Sequence, residues 1–249
     1  MLKQLAQLLS HDTPGVPALD QVRALELDLC SARTRFAVPY VFEGGGELPT
    51  IRPSLRGDEA EPMYAEALAL QPATVVQVGA RTGGCLYWWA QAATDDAVIV
   101  SVRRAEAADG GAGEVSRRRQ AAVDALVRSF GRAQQTVRLI GPGGEAEVEG
   151  VLDGRAVDLL FMDAAATAEA VVREFNAFAP AVRADGLIVL HGIAAEGGAS
   201  NGRRAPMAEL WPRLRERYET REYVADGSRR GVGVVVVPAG GVERVERAG

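Results

Sequence analysis

The stretch that most constrains this chain is Thr74 to Ala90, TVVQVGARTGGCLYWWA. Thr74–Val78 is a short β-branched run, which predicts a buried strand. It ends in Gly79-Ala80-Arg81-Thr82-Gly83-Gly84, after which Leu86, Trp88, Trp89 and Ala90 start an apolar helix. A strand, a glycine turn and a helix bring backbone N–H groups against a nucleotide or nucleoside. Gly79 allows the tight turn, and Gly83 and Gly84 allow close approach of ligand and helix. The spacing is G-x-x-x-G-G and not the dinucleotide G-x-G-x-x-G, and many glycine turns only join elements, so a purely structural turn is the other reading.

With 249 residues and 47% hydrophobic composition, the chain can bury one large α/β core. A net charge of −5 argues against nucleic acid as a partner. No apolar run approaches the roughly eighteen residues of a membrane span. The N-terminal MLKQLAQLLSHDTPG lacks a basic start and a long apolar core, so it reads as an amphipathic helix and not as a signal peptide. Cys30 and Cys85 are the only cysteines, which makes a disulfide framework unexpected, with Cys85 at a buried helix start. A cytoplasmic location is expected.

Along the chain, residues 1–10 and 18–35 predict helices, the second with Leu19, Val22, Leu25, Leu29 and Ala32 at helical spacing. An irregular loop with Phe42–Gly46 and Pro49–Pro53 follows, then a helix over Pro62–Leu70. Residues 1–70 form a cap that is not an independent domain, or an oligomer contact. Further strands are expected at Ala97–Val102, Thr136–Ile140, Val157–Met162, Leu187–Leu190, Arg221–Val224 and Gly233–Val237. Helices are expected at Ser116–Phe130, Glu145–Leu152, Thr167–Phe178 and Pro206–Tyr218, the last kinked at Pro212. Residues 103–115 and 194–204 read as surface loops, Asp226–Arg230 as a turn, and 239–249 as a frayed tail. Alternation of strand and helix predicts a doubly wound, mainly parallel sheet over 71–238, with an antiparallel C-terminal edge.

Several blocks in order carry a resemblance: PYVFEGGGELPTIRP at 39–53, VVQVGARTGGCLYWWAQAA at 75–93, VIVSV at 98–102, VDLLFMD at 157–163, EFNAFAPAVRADGLIVLHGI at 174–193 and GVGVVVV at 231–237. Over residues 39 to 237 the chain resembles the class I S-adenosylmethionine-dependent methyltransferases. Within them it is similar to the cephalosporin-hydroxylase-like branch, which is related to metal-dependent O-methyltransferases of macrolide sugars. The resemblance implies a Rossmann-like seven-stranded sheet with its ligand at the carboxyl ends of the strands, and a small-molecule substrate or a protein partner. The cofactor-binding positions it implies are Gln77, Gly79, Arg81, Gly83, Gly84, Arg103 and Asp163, with Asp163 and His191 in catalytic places.

The chain departs from the family pattern at several of these positions. Gln77 stands where an acid usually precedes the first glycine. Arg103 stands where an acid usually binds the ribose hydroxyls. Asp163-Ala164-Ala165-Ala166 replaces Asp-Gly-Asp-His, and His191-Gly192 replaces His-Asp or two acids. A hard cation needs several oxygen ligands, and Asp163 with His191 is too few, so no metal is expected. S-adenosylmethionine is expected to bind weakly or not at all. Each residue also has a plainer reading. Arg103 either favours a phosphate or points to solvent. His191 is either a base or ligand, or a hydrogen-bonded histidine at a strand end. Asp163 either serves the site or caps the helix at Thr167. Trp88 and Trp89 read as helix packing, Glu43 and Arg52 as cleft or surface residues, and Arg117–Arg119 as a solvated face.

Overall fold

The computed structural model describes residues 35–37, 39, 53, 55–79, 83–103, 131–141, 144–163, 167–194, 206–228 and 230–246. The expected N-terminal helices, the helix at 116–130, the loops at 104–115 and 195–204, and the residues Cys30, Glu43, Arg52, Arg81, Arg104, Arg117–Arg119 and Ala164–Ala166 lie outside the described residues. In chain order the described elements are α1 Gly57–Leu70, β1 Thr74–Val78, α2 Gly84–Ala92, β2 Val98–Val102, β3 Thr136–Ile140, α3 Glu145–Leu152, β4 Val157–Met162, α4 Ala168–Phe178, β5 Val182–His191, α5 Met207–Arg215, β6 Thr220–Tyr223 and β7 Val232–Val236.

The strands form one seven-stranded sheet in the order β3-β2-β1-β4-β5-β7-β6. β1 pairs in parallel with β2 on one side and β4 on the other. It is buried along its whole length, as are β2 and β4. That is why these strands read as nearly unbroken apolar runs and do not alternate. β7 runs antiparallel between β5 and β6 and supplies the expected reversed edge. The chain leaves β1 first toward β2 and β3 and later toward β4 and β5. The β1/β4 boundary is therefore the switch point outside whose carboxyl end open α/β sheets bind ligands.

Each sheet face has its own core. On one face α1 and α2 cover Val75, Ile99, Leu159, Phe161 and Val189. Trp88 anchors this side. It is fully buried, stacks on Phe36 with ring centroids 5.1 Å apart, and donates Nε1–H to the Phe36 carbonyl at 2.9 Å. Trp89 packs against Phe161 at 5.2 Å. Both tryptophans thus pack within this core, as the sequence reading expects. On the other face α3, α4 and α5 cover Val76, Val100, Leu160, Ile188 and Val235. There Gly233 lets the Trp211 ring lie flat on β7. A Cβ at that position would come within 2.5 Å of two ring carbons.

Most element bounds agree with the sequence reading to within a residue or two. Four features do not. α1 begins at Gly57, five residues before the expected Pro62, which sits inside the helix. Glu59 and Ala60 are buried there and draw the preceding turn into the helix. β5 begins at Val182 and not at Leu187, because its polar start is an irregular strand with Asp185 in the left-handed region and a register shift against β4. α5 ends at Arg215, and Glu216–Tyr218 continue as a turn. The expected frayed tail is packed as far as Glu246, with Val242 and Val245 buried in the second core. Asn176 on α4 holds Val245 at both its N–H and its carbonyl, at 2.7 and 2.8 Å.

Candidate active site

The site is built at the carboxyl edge, where β1, β2, β4 and β5 end. Main-chain hydrogen bonds carry the ladder one residue past each strand. Gly79 N–H donates to Val102 O at 2.9 Å, Arg103 N–H to Ile140 O at 3.0 Å, and Asp163 N–H to Val78 O at 3.0 Å. Arg103, Gly79 and Asp163 are thereby fixed side by side on adjacent strands. Gly79 adopts φ +90° and Gly83 φ +82°, a region that residues with a Cβ rarely occupy. Gly83 is the N-cap of α2, and its carbonyl accepts from Tyr87 N–H at 3.1 Å. Cys85 is buried in the first turn of that helix, as expected. The N-terminus of this helix follows the carboxyl end of β1 in the chain, and helix N-termini are suited to anionic groups.

Across the switch point, Asp163 and His191 meet. His191 Nδ1 lies 2.7 Å from Asp163 Oδ1, with His191 1% and Asp163 9% exposed. Gly192 at φ +94° turns the chain immediately after His191, and Gly192 N–H and Ala194 N–H donate to Gly231 O and Arg230 O. The turn between β6 and β7 therefore borders the same end of β5. An ionised carboxylate only accepts, so beside Asp163 a neutral imidazole carries its proton on Nδ1 and a lone pair on Nε2. Nε2 is buried and has no hydrogen-bond partner.

The structure corrects two of the plainer readings. Asp163 does not cap the helix that follows. Thr167 caps it, its own hydroxyl accepting from Ala170 N–H at 3.2 Å, and the Asp163 carboxylate pairs with His191 through Oδ1. Arg103 is partly buried at the end of β2 and not a fully exposed surface residue. Gln77 is buried on β1, one turn of the pleat below Gly79, with its Oε1 unpaired. Among the described residues, no three His, Cys, Asp or Glu side chains come together in a way that could hold a metal ion. No described helix is long and apolar enough to cross a membrane.

A family model described as a methyltransferase domain matches residues 76–193, from β1 to just past β5. The fold is shared with solved structures of low sequence identity. Cofactor-bound Rv0187 from MTB is 17% identical, with 90% of this chain and 99% of that chain covered and a TM-score of 0.56. A putative O-methyltransferase from Klebsiella pneumoniae is 15% identical, with 95% and 97% covered and a TM-score of 0.57. The O-methyltransferase TomG from Streptomyces achromogenes, involved in tomaymycin synthesis and solved in complex with SAM, is 14% identical, with 95% and 96% covered and a TM-score of 0.55. No curated protein sequence matches significantly. Sheet order, switch point and family match define a class I methyltransferase fold. O-methyltransferases are among the solved structures that share it.

Proposed function

We propose that the chain is an S-adenosylmethionine-dependent O-methyltransferase of small-molecule or sugar modification with an altered site, centred on the Asp163–His191 pair. One observation carries this reading: a buried carboxylate–imidazole pair at 2.7 Å, with Nε2 unpaired, stands at the carboxyl ends of β4 and β5 beside the switch point. When bound, S-adenosylmethionine supplies an electrophilic methyl group. The glycine turn suits its methionine end, since the first turn of α2 offers N–H groups to a carboxylate. The ribose end fits poorly, because Arg103 brings no acceptor for two hydroxyls. His191 Nε2 takes the proton of an acceptor hydroxyl, while Asp163 holds the ring in its tautomer and stabilises the imidazolium that forms.

A second reading is a methyltransferase-fold scaffold without methyl transfer. The same Arg103 favours it, since a charge-assisted ribose contact of about 1.5–3 kcal/mol per bond is lost there.

Calorimetric titration of the wild type with S-adenosylmethionine and S-adenosylhomocysteine, repeated with Arg103→Asp, tests the proposal. Weak binding that tightens about tenfold or more in Arg103→Asp is expected, since about 1.4 kcal/mol is tenfold. Low-micromolar binding by the wild type, unchanged in Arg103→Asp, would show a different ribose contact and an unimpaired cofactor site. Absence of binding in both proteins would favour the scaffold.

A further inference from the structure

One pleat below the carboxyl edge, two buried polar side chains stand next to each other with nothing to bond. Gln77 on β1 and Ser101 on β2 are register partners, so they are nearest neighbours on the same sheet face. Gln77 is 2% and Ser101 0% exposed, and Gln77 Oε1 and Ser101 Oγ both lack a hydrogen-bond partner. The other neighbour of Gln77 in the row is Phe161, on β4. Trp89 packs on Phe161, is itself fully buried, and its Nε1–H is also unpaired. Val75, Ile99 and Val189 flank them on the same face, and Asp163 and His191 follow one step further along β4 and β5.

Unpaired polar groups at this depth are rare in folded proteins, because each loses its hydration and recovers nothing. The three groups are chemically complementary to one kind of atom. The Gln77 oxygen needs a donor, the Trp89 N–H needs an acceptor, and the Ser101 hydroxyl can be either. A hydroxyl oxygen supplies both roles. It donates its hydrogen to Gln77 and accepts from Ser101 or Trp89. A cation would not satisfy the tryptophan N–H, and an anion would not satisfy the glutamine oxygen.

We propose that Gln77 and Ser101, with Trp89 beside them, form a hydroxyl-binding socket beneath the glycine turn. It lies one pleat below the carboxyl edge. The next residue of β1 on this face is Gly79, which carries no side chain and lies between Arg103 and Asp163 on the neighbouring strands. The hydroxyl is either a water or part of a small ligand bound at that edge. The socket stands on register and burial alone and does not require methyl transfer.

High-resolution crystal structures of the full chain, without ligand and with S-adenosylhomocysteine, distinguish the two sources. An ordered oxygen within hydrogen-bond distance of Gln77 and Ser101 in the ligand-free crystals identifies a water. An oxygen that arrives as part of the ligand identifies a ligand hydroxyl. No oxygen in either crystal would overturn the proposal. Thermal unfolding gives a second readout. Ser101→Ala and Gln77→Met each remove one partner from a filled socket, so each should lower Tm by roughly 3–10 °C, and the double variant by less than the two together. A rise in Tm in Ser101→Ala, the variant least disruptive to packing, would mean that the polar groups are simply unpaired and that the socket holds nothing.

Discussion

The Asp158 carboxylate accepts from the main-chain N–H groups of Ala73 and Thr74 at 2.8 and 2.7 Å through one oxygen, and pairs with Arg183 through the other. It therefore ties the entrances of β1 and β5 to β4. Removing it strands two N–H groups at the buried start of the central strand. Asp158→Ala should cost about 2–4 kcal/mol, measured by urea unfolding. Asp158→Asn retains an acceptor for both N–H groups and loses only the attraction to a partly exposed arginine. It should keep at least half of that stability. Equal losses in the two variants would place the effect in the ion pair and not in the main-chain bonds. No sequence signal marks this role, because Asp158 sits inside an apolar run, 85 residues from Ala73, and only the β1–β4 pairing brings them together.

At the scale of elements, the unbroken apolar strands and the glycine turn were legible because burial on both faces leaves little freedom of composition. β3, α3 and β4 begin and end where the sequence predicts. The errors fall where local chemistry and tertiary contact disagree. Pro62 reads as a helix start, yet the buried Glu59 and Ala60 extend α1 past it. Residues 239–246 read as loose because they carry charges and glycines, yet the valines among them complete a core that α4 and α5 leave open. Beyond Asn176, this segment is held by Arg213 donating to the Glu246 carbonyl at 2.8 Å and by Tyr218 accepting from Glu243 N–H at 3.0 Å. Asn176→Ala removes both bonds to Val245 and should cost about 1–3 kcal/mol. Hydrogen exchange checks where the loss falls. The amides of residues 242–246 should exchange markedly faster in the variant while those of β1 and β4 are unchanged. Unaltered protection at Val245 would show that valine burial alone holds the segment.

For the whole molecule, the sequence points to the strand ends that carry the site but not to the contacts across them. Asp163 and His191 are each visible as a polar residue closing an apolar run. Their pairing requires the β4–β5 register, and that of Gln77 with Ser101 requires the β1–β2 register; neither is written in local spacing. The same holds for groups that set the pH range of the fold. Tyr64 on α1 lies in the first core beside the stacked Phe36 and Trp88 rings, 2% exposed. Burial pushes its hydroxyl up to about 12, opposed by the Arg35 and Arg132 guanidiniums. An unfolded tyrosine titrates near 10. Below pH 10 both states keep the proton and the contribution of Tyr64 to stability is fully present. Between pH 10 and 12 the unfolded chain loses its proton first and binds fewer than the folded one, so stability falls as pH rises, by about 1.4 kcal/mol per pH unit from this group. Tyr223, hydrogen-bonded to Glu66 and also raised to about 12, acts in the same direction but is more exposed and so better screened. Urea unfolding from pH 9 to 12 should therefore show a shallower decline in Tyr64→Phe than in the wild type, the stability difference between them shifting in favour of the variant by roughly 2–3 kcal/mol at the alkaline end. Parallel curves would mean that Tyr64 ionises in the folded protein as readily as in the unfolded chain, and that the first core admits solvent around α1.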